Sequence, residues 1–253
     1  MKIVTLGTGG CFPNPRRAAP ATAVQAADRW ILIDAGENVG PRLVESGIPP
    51  EELAAVLLTH YHADHTAGLA PLLFGLHVER RRTATLMIGG GPGLGRLRQG
   101  LAQAFGDWLL NPAFPLQWTE YDPPGELAFG SELTVRYEEV VHAESHHCLG
   151  YRFASAGKVL AVSGDTIACD GLRRLIQQAD LLLCEAGYPD DEPVAGHLTP
   201  VQIAALANGA GVKKIVLTHF AADRLTERLT AAVQADFAGE VRAARDGEVF
   251  VVD

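Results

Sequence analysis

The stretch LLTHYHADHTAGL, residues 57–69, places three histidines and one aspartate within six positions: His60, His62, Asp64 and His65. An apolar run, AVLL, leads into it, so the cluster begins where a strand should end. The spacing is not that of a helical histidine pair at i and i+4. His60 and His62 alternate, so extended backbone points both rings the same way. Asp64 and His65 then fall in a turn and can face a second point. One loop of this kind can serve two cations, and imidazole with carboxylate suits Zn2+, with Mn2+ or Fe2+ as substitutes.

The rest of the chain repeats the theme. Four strand-like runs end in a potential ligand: AVLLT at His60, KVLAVSG at Asp165, LLLC at Glu185 and KKIVLT at His219. In open α/β sheets, binding groups collect outside the carboxyl ends of strands, so these residues are expected to converge on one edge. Further strand-like runs are KIVTLG, ATAVQA, RWILID, ATLMIG, LQWTEY, LTVRYEEVV, GYRFAS and EVFVVD. Helical spacing recurs in HTAGLAPLLFGLHVERR, GLRRLIQQA, TPVQIAALANGAG and ERLTAAVQADF. Strands dominate the first third, and strand and helix alternate later. This order predicts an α+β fold, two packed sheets with helices outside, a four-layer αββα sandwich over residues 1–253 as a single domain. The Gly- and Pro-rich segment from about 90 to 125 reads as an insertion or a mobile region.

Composition bounds the function. With 47% hydrophobic and 20% charged residues, the chain can bury a core. No run of 18 apolar residues suggests a membrane span. The opening MKIVTLGTGG reads as a strand entering a glycine turn rather than a secretory signal, so a cytoplasmic location is expected. Cys11, Cys148, Cys169 and Cys184 form no C-x-x-C pair and read as free thiols. The formal charge of −9 argues against a dedicated nucleic-acid surface. The one basic run, Arg80 to Arg82 with Arg96 and Arg98 nearby, reads as a solvated helix end. The cluster GGGPGLG at 89–95 lacks the Gly-Lys-Ser/Thr ending of a phosphate loop and reads as a turn near the site entrance.

His60-x-His62-x-Asp64-His65 resembles the signature of the metallo-β-lactamase superfamily. TLGTGGCFPNPRRAAP at 5–20, LIDAGE at 32–37, GYRF at 150–153, SGDT at 163–166, GHLTP at 196–200 and LTHF at 217–220 resemble its ribonuclease Z and phosphodiesterase branch. The resemblance implies a dinuclear-metal hydrolase that cleaves a phosphodiester by metal-bound hydroxide. His60, His62 and a third histidine would bind one cation, Asp64, His65 and His219 the second, and Asp165 would bridge them. A carboxylate can span ions about 3.5–4 Å apart. Asp64, His197 and Glu185 are the expected catalytic group, His197 as general acid and Glu185 as the carboxylate that orients it. Asp34 is expected to bond backbone near the metal loop. The third histidine is open among His142, His146 and His147; His142 follows a strand and is preferred, although the family's histidine usually lies slightly nearer GYR.

Substrate size is the remaining question. Ribonuclease Z members carry a long basic arm that grips tRNA, often following GYR. Here only ASAGKVLAV separates GYRF from SGDT. A small phosphodiester, such as a cyclic nucleotide or an aryl ester, therefore fits better than RNA. The alternatives are a tRNA 3′-end endoribonuclease, a lactone, thioester or carboxylic ester hydrolase, and a non-enzymatic metal-retaining scaffold. The last is weakened because every ligand position is filled. The resemblance also implies a homodimer, with residues 76–115 as the candidate interface.

Overall fold

The apolar runs become two seven-stranded sheets in the computed structural model, which describes residues 1–12, 14–79, 82–142 and 147–253. Arg80, Arg81 and His146 lie outside the described residues. The first sheet holds β1 (Lys2–Gly7), β2 (Ala21–Ala26), β3 (Arg29–Ile33), β4 (Leu53–Leu57), β5 (Leu86–Gly90) and β6 (Leu116–Glu120), with β14 (Glu248–Val251) paired to β1. The second runs β13-β12-β11-β10-β9-β8-β7, where β7 is Gly125–Ala128, β8 Leu133–Val140, β9 Cys148–Ser155, β10 Lys158–Val162, β11 Leu181–Glu185, β12 Lys214–Thr218 and β13 Glu240–Ala243.

The central strands of each sheet are buried on both faces, which is why β3, β4, β10 and β11 read as nearly continuous apolar runs. In β3, Ile31 and Ile33 face the other sheet, while Trp30 and Leu32 face helices α1 (Val39–Glu45), α3 (Leu69–Val78) and α4 (Leu94–Phe105). The inter-sheet core packs Ile3, Ile31 and Leu57 against Val135, Phe153 and Val216. Beyond the second sheet, Leu182, Ile215 and Leu217 meet α5 (Asp170–Leu175), α6 (Pro200–Ala210) and α7 (Thr226–Asp236). The layers are thus helix, sheet, sheet, helix, as expected. Pro200 occupies the first position of α6, and Gly211 ends it at φ 69°.

Strands β3 to β6 run parallel, as do β10 to β13, and β8 runs with β10 because β9 is antiparallel to both. The carboxyl ends of β3, β4, β8, β10, β11 and β12 therefore share one edge. There the sheets are stitched together: Leu149 N–H donates to Thr59 O (2.8 Å), Tyr151 Oη to Leu58 O (2.7 Å) and Phe220 N–H to Thr8 O (2.9 Å).

Two expectations are corrected. The 90–125 segment is not a structureless insertion: it holds α4, a 3-10 turn at Asp107–Leu110, and β6 at the sheet edge. Its glycines hid a helix because Gly95 and Gly100 lower helix propensity. Arg82 is not solvated either. It is 5% exposed and donates to the carbonyls of Glu51, Leu53, Ala84 and Thr85, so a charge read as surface instead ties the loop before β5 to β4.

Gly68 sits where the short helix α2 (Ala63–Thr66) passes into α3, against the turn after β3. A Cβ there would lie 2.1 Å from the Gly36 carbonyl oxygen, and backbone cannot yield as a side chain can. Gly68→Ala is expected to cost about 1–3 kcal/mol, read as a lower urea midpoint at constant m-value. An unchanged midpoint would show that the 34–36 turn moves aside freely.

Candidate metal centre

The cluster is assembled from strand ends, and its chemistry is set by where each imidazole keeps its proton. Asp34 follows β3 at φ 59°. Its Oδ1 accepts from Thr59 N–H (2.8 Å), the backbone contact expected of it, and its Oδ2 lies 2.8 Å from His65 Nδ1. The Thr59 hydroxyl donates to the Asp34 carboxylate, so His60 Nδ1–H donates to Thr59 Oγ1 (3.0 Å). His142 Nδ1–H donates to Gly196 O (2.8 Å), which can only accept. Gly196 itself, at φ 88°, allows this approach: a Cβ would fall 3.0 Å from His142 Nδ1. In all three rings Nδ1 is held by an outward acceptor and Nε2 is the atom that faces the cluster, the arrangement that orients metal-binding histidines.

Those nitrogens converge. His60 Nε2 is 3.0 Å and His142 Nε2 3.3 Å from His62 Nδ1. One proton on His62 could satisfy only one of them, whereas a cation satisfies all three nitrogens. His65 Nε2 is buried without a hydrogen-bond partner among the described residues and lies 3.4 Å from Asp165 Oδ2. His219 Nε2 lies 3.2 Å from Asp165 Oδ2 and 3.6 Å from Asp64 Oδ2. Four groups of potential ligands result: His60, His62 and His142; His60, His65 and Asp165; Asp64, His65 and His219; and His142, Asp165 and His197. Within each group the donor atoms lie within 4.8 Å of one another, and Asp165 stands between the two histidine sets. The donor set fits divalent cations of the Zn2+ type.

Electrostatics agree. Burial, reinforced by His65, drives the His60 pKa far down, so its ring is neutral and free to ligate. Burial alone would neutralise Asp165, yet His219 and His65 hold its carboxyl well below the usual range. Burial opposes a charge on His65, but Asp165 and Asp34 outweigh it and raise that pKa. Protons on His65 and His219 thus balance the buried Asp165 carboxylate, and a bound divalent cation would displace them.

His197 stands apart from the strand ends, in the turn before α6. Its Nδ1 lies 3.0 Å from Glu185 Oε1, which also accepts from Thr166 N–H (3.2 Å) and Leu198 N–H (3.1 Å). The buried carboxylate outweighs desolvation and raises the His197 pKa. Of the two rival histidines, His147 is not in the cluster; it is exposed and bonds Glu139 Oε1 at 2.6 Å. The structure also shows supports that the sequence reading did not assign. Asp34 anchors His65 as well as backbone, and Tyr61, between two cluster histidines, bonds Gly91 O in the glycine turn. Both could have been suspected from position: a carboxylate at a strand end, and an aromatic beside GGGPG.

This chain belongs to the beta-lactamase superfamily, whose domain description matches residues 29–220. It is a divalent-metal-dependent hydrolase with the metallo-beta-lactamase fold, on the ribonuclease Z-like branch. It is 30% identical over 270 residues to the ribonuclease Z of Mycobacterium bovis strain BCG, covering 97% of this chain and 96% of that one. The metallo-beta-lactamase fold protein YhfI from Bacillus subtilis superposes with a TM-score of 0.85 at 27% identity, covering 98% of each chain. The short form of human tRNase Z shares the fold, with a TM-score of 0.79 at 24% identity over 100% of both chains. Among the described residues, no helix is long and apolar enough to cross a membrane.

Asp34→Asn separates shape from chemistry. The amide would still accept from Thr59 but would present NH2 to His65 Nδ1, moving that ring's proton to Nε2 and removing the inward lone pair. A loss of about 10–100-fold in cation affinity is expected with secondary structure retained; competition against a chromophoric chelator measures it. Wild-type affinity in the variant would show that the tautomer of His65 does not matter.

Proposed function

We propose that the chain hydrolyses a small phosphodiester, using two divalent cations, Zn2+ in the first instance. His60, His62 and His142 would hold one cation, Asp64, His65 and His219 the other, and Asp165, within reach of both histidine sets, would serve both. Bound there, the pair of cations supplies an ionised water near neutral pH and neutralises charge on the phosphoryl oxygens. The observation that carries this reading is the placement of His197. Its Nδ1 is fixed by Glu185, so Nε2 is the atom that approaches Asp165 and His142 and can deliver a proton to a departing alkoxide. Glu185 is a positioning residue: it sets the ring's tautomer and favours its protonated form.

Two features support a small substrate. The hairpin between β9 and β10 is closed by Ala156 and Gly157 alone, at φ 51° and 74°, where a gripping arm would have to emerge. Beside Asp64 lies a hollow of about 430 Å3, lined by Cys11, Phe12, Arg17, Glu37 and Asn38 among others. RNA cleavage is the second reading, favoured by the 30% identity to a ribonuclease Z across nearly the whole chain.

His197→Ala is expected to slow cleavage of dialkyl phosphodiesters, from which an alkoxide must leave, by about 10²–10⁴-fold, and to slow much less the cleavage of bis(nitrophenyl) phosphodiesters, whose nitrophenolate departs without a proton. Chelation should abolish both activities, and Zn2+ or Mn2+ restore them. Turnover of lactones or thioesters with inert bis-aryl phosphodiesters would overturn the substrate class, and preferential processing of tRNA precursors would favour the second reading.

The same reading places a homodimer contact on α3 and the segment after α4. Phe74, Val78, Phe105 and Trp108 are about half exposed there, and the rings of Phe74 and Trp108 meet edge to face at 5.2 Å. Trp108→Glu is expected to shift sedimentation from dimer to monomer; a monomeric wild type would refute the contact.

A further inference from the structure

His219 differs from the other cluster histidines. His60, His65, His142 and His197 each have Nδ1 fixed by a protein acceptor. Nδ1 of His219 is buried with no hydrogen-bond partner among the described residues. Its backbone sits at φ 59°, a conformation that a non-glycine residue keeps only when its surroundings enforce it. Its Nε2 faces Asp165 and Asp64, so support from behind the ring comes through the chain on either side of it.

On one side β12 ends at Thr218, whose carbonyl accepts from Ala186 N–H (2.9 Å). On the other, Phe220 is fully buried and pinned from three directions. Its N–H donates to Thr8 O (2.9 Å), its carbonyl accepts from Gly10 N–H (3.0 Å), and the guanidinium of Arg17 lies 4.6 Å from its ring centroid. Arg17 is itself fully engaged. Nε donates to Asp223 Oδ1 (2.7 Å), one terminal nitrogen to Thr8 Oγ1 (2.5 Å) and Ala244 O (2.9 Å), and the other to Thr226 Oγ1 (3.2 Å). Asp246 closes the circuit by accepting from Thr8 N–H (3.0 Å), Thr8 Oγ1 (2.7 Å) and Ala18 N–H (2.6 Å).

We infer that Arg17 is a positioning residue for His219: its forked guanidinium clamps the loop after β1, the turn after β12 and the turn before β14 around Phe220, and so aims a cluster histidine whose Nδ1 has no hydrogen-bond partner among the described residues. This rests on His219 being a cation ligand, and it gives the second arginine of the NPRRAAP segment a role in cation binding. A planar fork is needed because the acceptors lie on three separate segments around one aromatic face; a lysine offers one point charge and cannot reach them together.

The test is cation binding to the full chain, by Zn2+ competition with a chromophoric chelator and by the Co2+ visible spectrum. The wild type should hold two cations and His219→Ala only one tightly. Arg17→Met should weaken that same cation by about 10–100-fold and leave the other unchanged, as loss of a ligand's support does in metal sites. Arg17→Lys should fall between. Asp223→Ala, which removes one contact at the partly exposed end of the clamp, should produce a smaller loss at the same cation and decides the matter if Arg17→Met does not fold. Equal weakening of both cations in step with thermal stability, or no weakening, would make Arg17 a purely structural residue. Retention of both cations by His219→Ala would instead remove His219 from the ligand set.

Discussion

Several imidazoles and carboxylates cannot share a dry pocket unless each ring is told which nitrogen keeps its proton. Here that instruction comes from outside the cluster. The Asp34 carboxylate takes the proton of His65 directly and that of His60 through the Thr59 hydroxyl, while a lone backbone carbonyl does the same for His142. With these donors satisfied behind them, the inner nitrogens face one another across a low-dielectric pocket, where a proton on His65 and a divalent cation would compete for the same place. The rest of the molecule exists in a form that keeps those outer acceptors fixed.

The two sheets make that fixing possible. Neither sheet holds the complete set of candidate ligands: His60, His62, Asp64 and His65 follow β4, and His142, Asp165 and His219 follow strands of the other sheet. The backbone bonds that stitch the sheets along this edge, from Leu149 to Thr59 and from Phe220 to Thr8, sit within a residue or two of ligand positions. Packing between the sheets therefore sets the distances in the site.

Much of this was legible in the sequence because ligands at strand ends leave a local mark, an apolar run followed by His or Asp. His60, His62, Asp64, His65, Asp165 and His219 all carry it, and they meet in space as the strand pattern requires. His142 was separated from His147 by the same rule: it follows β8 directly, whereas His147 turns outward to Glu139. What stayed hidden depends on long-range partners. Helix α1 was masked by Gly40 and Pro41, and α4 by its glycines, since tertiary burial overrode weak propensity. Arg82 looked like solvated charge because nothing nearby in sequence reveals that four carbonyls wait for it. Arg17 was one basic residue in a proline-rich loop until Phe220, Asp223 and Asp246 were brought to it from more than two hundred positions away.

The tight turn at Ala156 and Gly157 has a further meaning. Strand β9 leaves the ligand-bearing edge at Cys148 and reaches this turn after eight residues, about 25 Å away at strand rise. Chain added or removed at that turn would leave every ligand, anchor and stitch in place. The fold thus keeps its reaction at one rim and a freely variable length of chain at the other, so recognition of large or small substrates can diverge without any change to the chemistry.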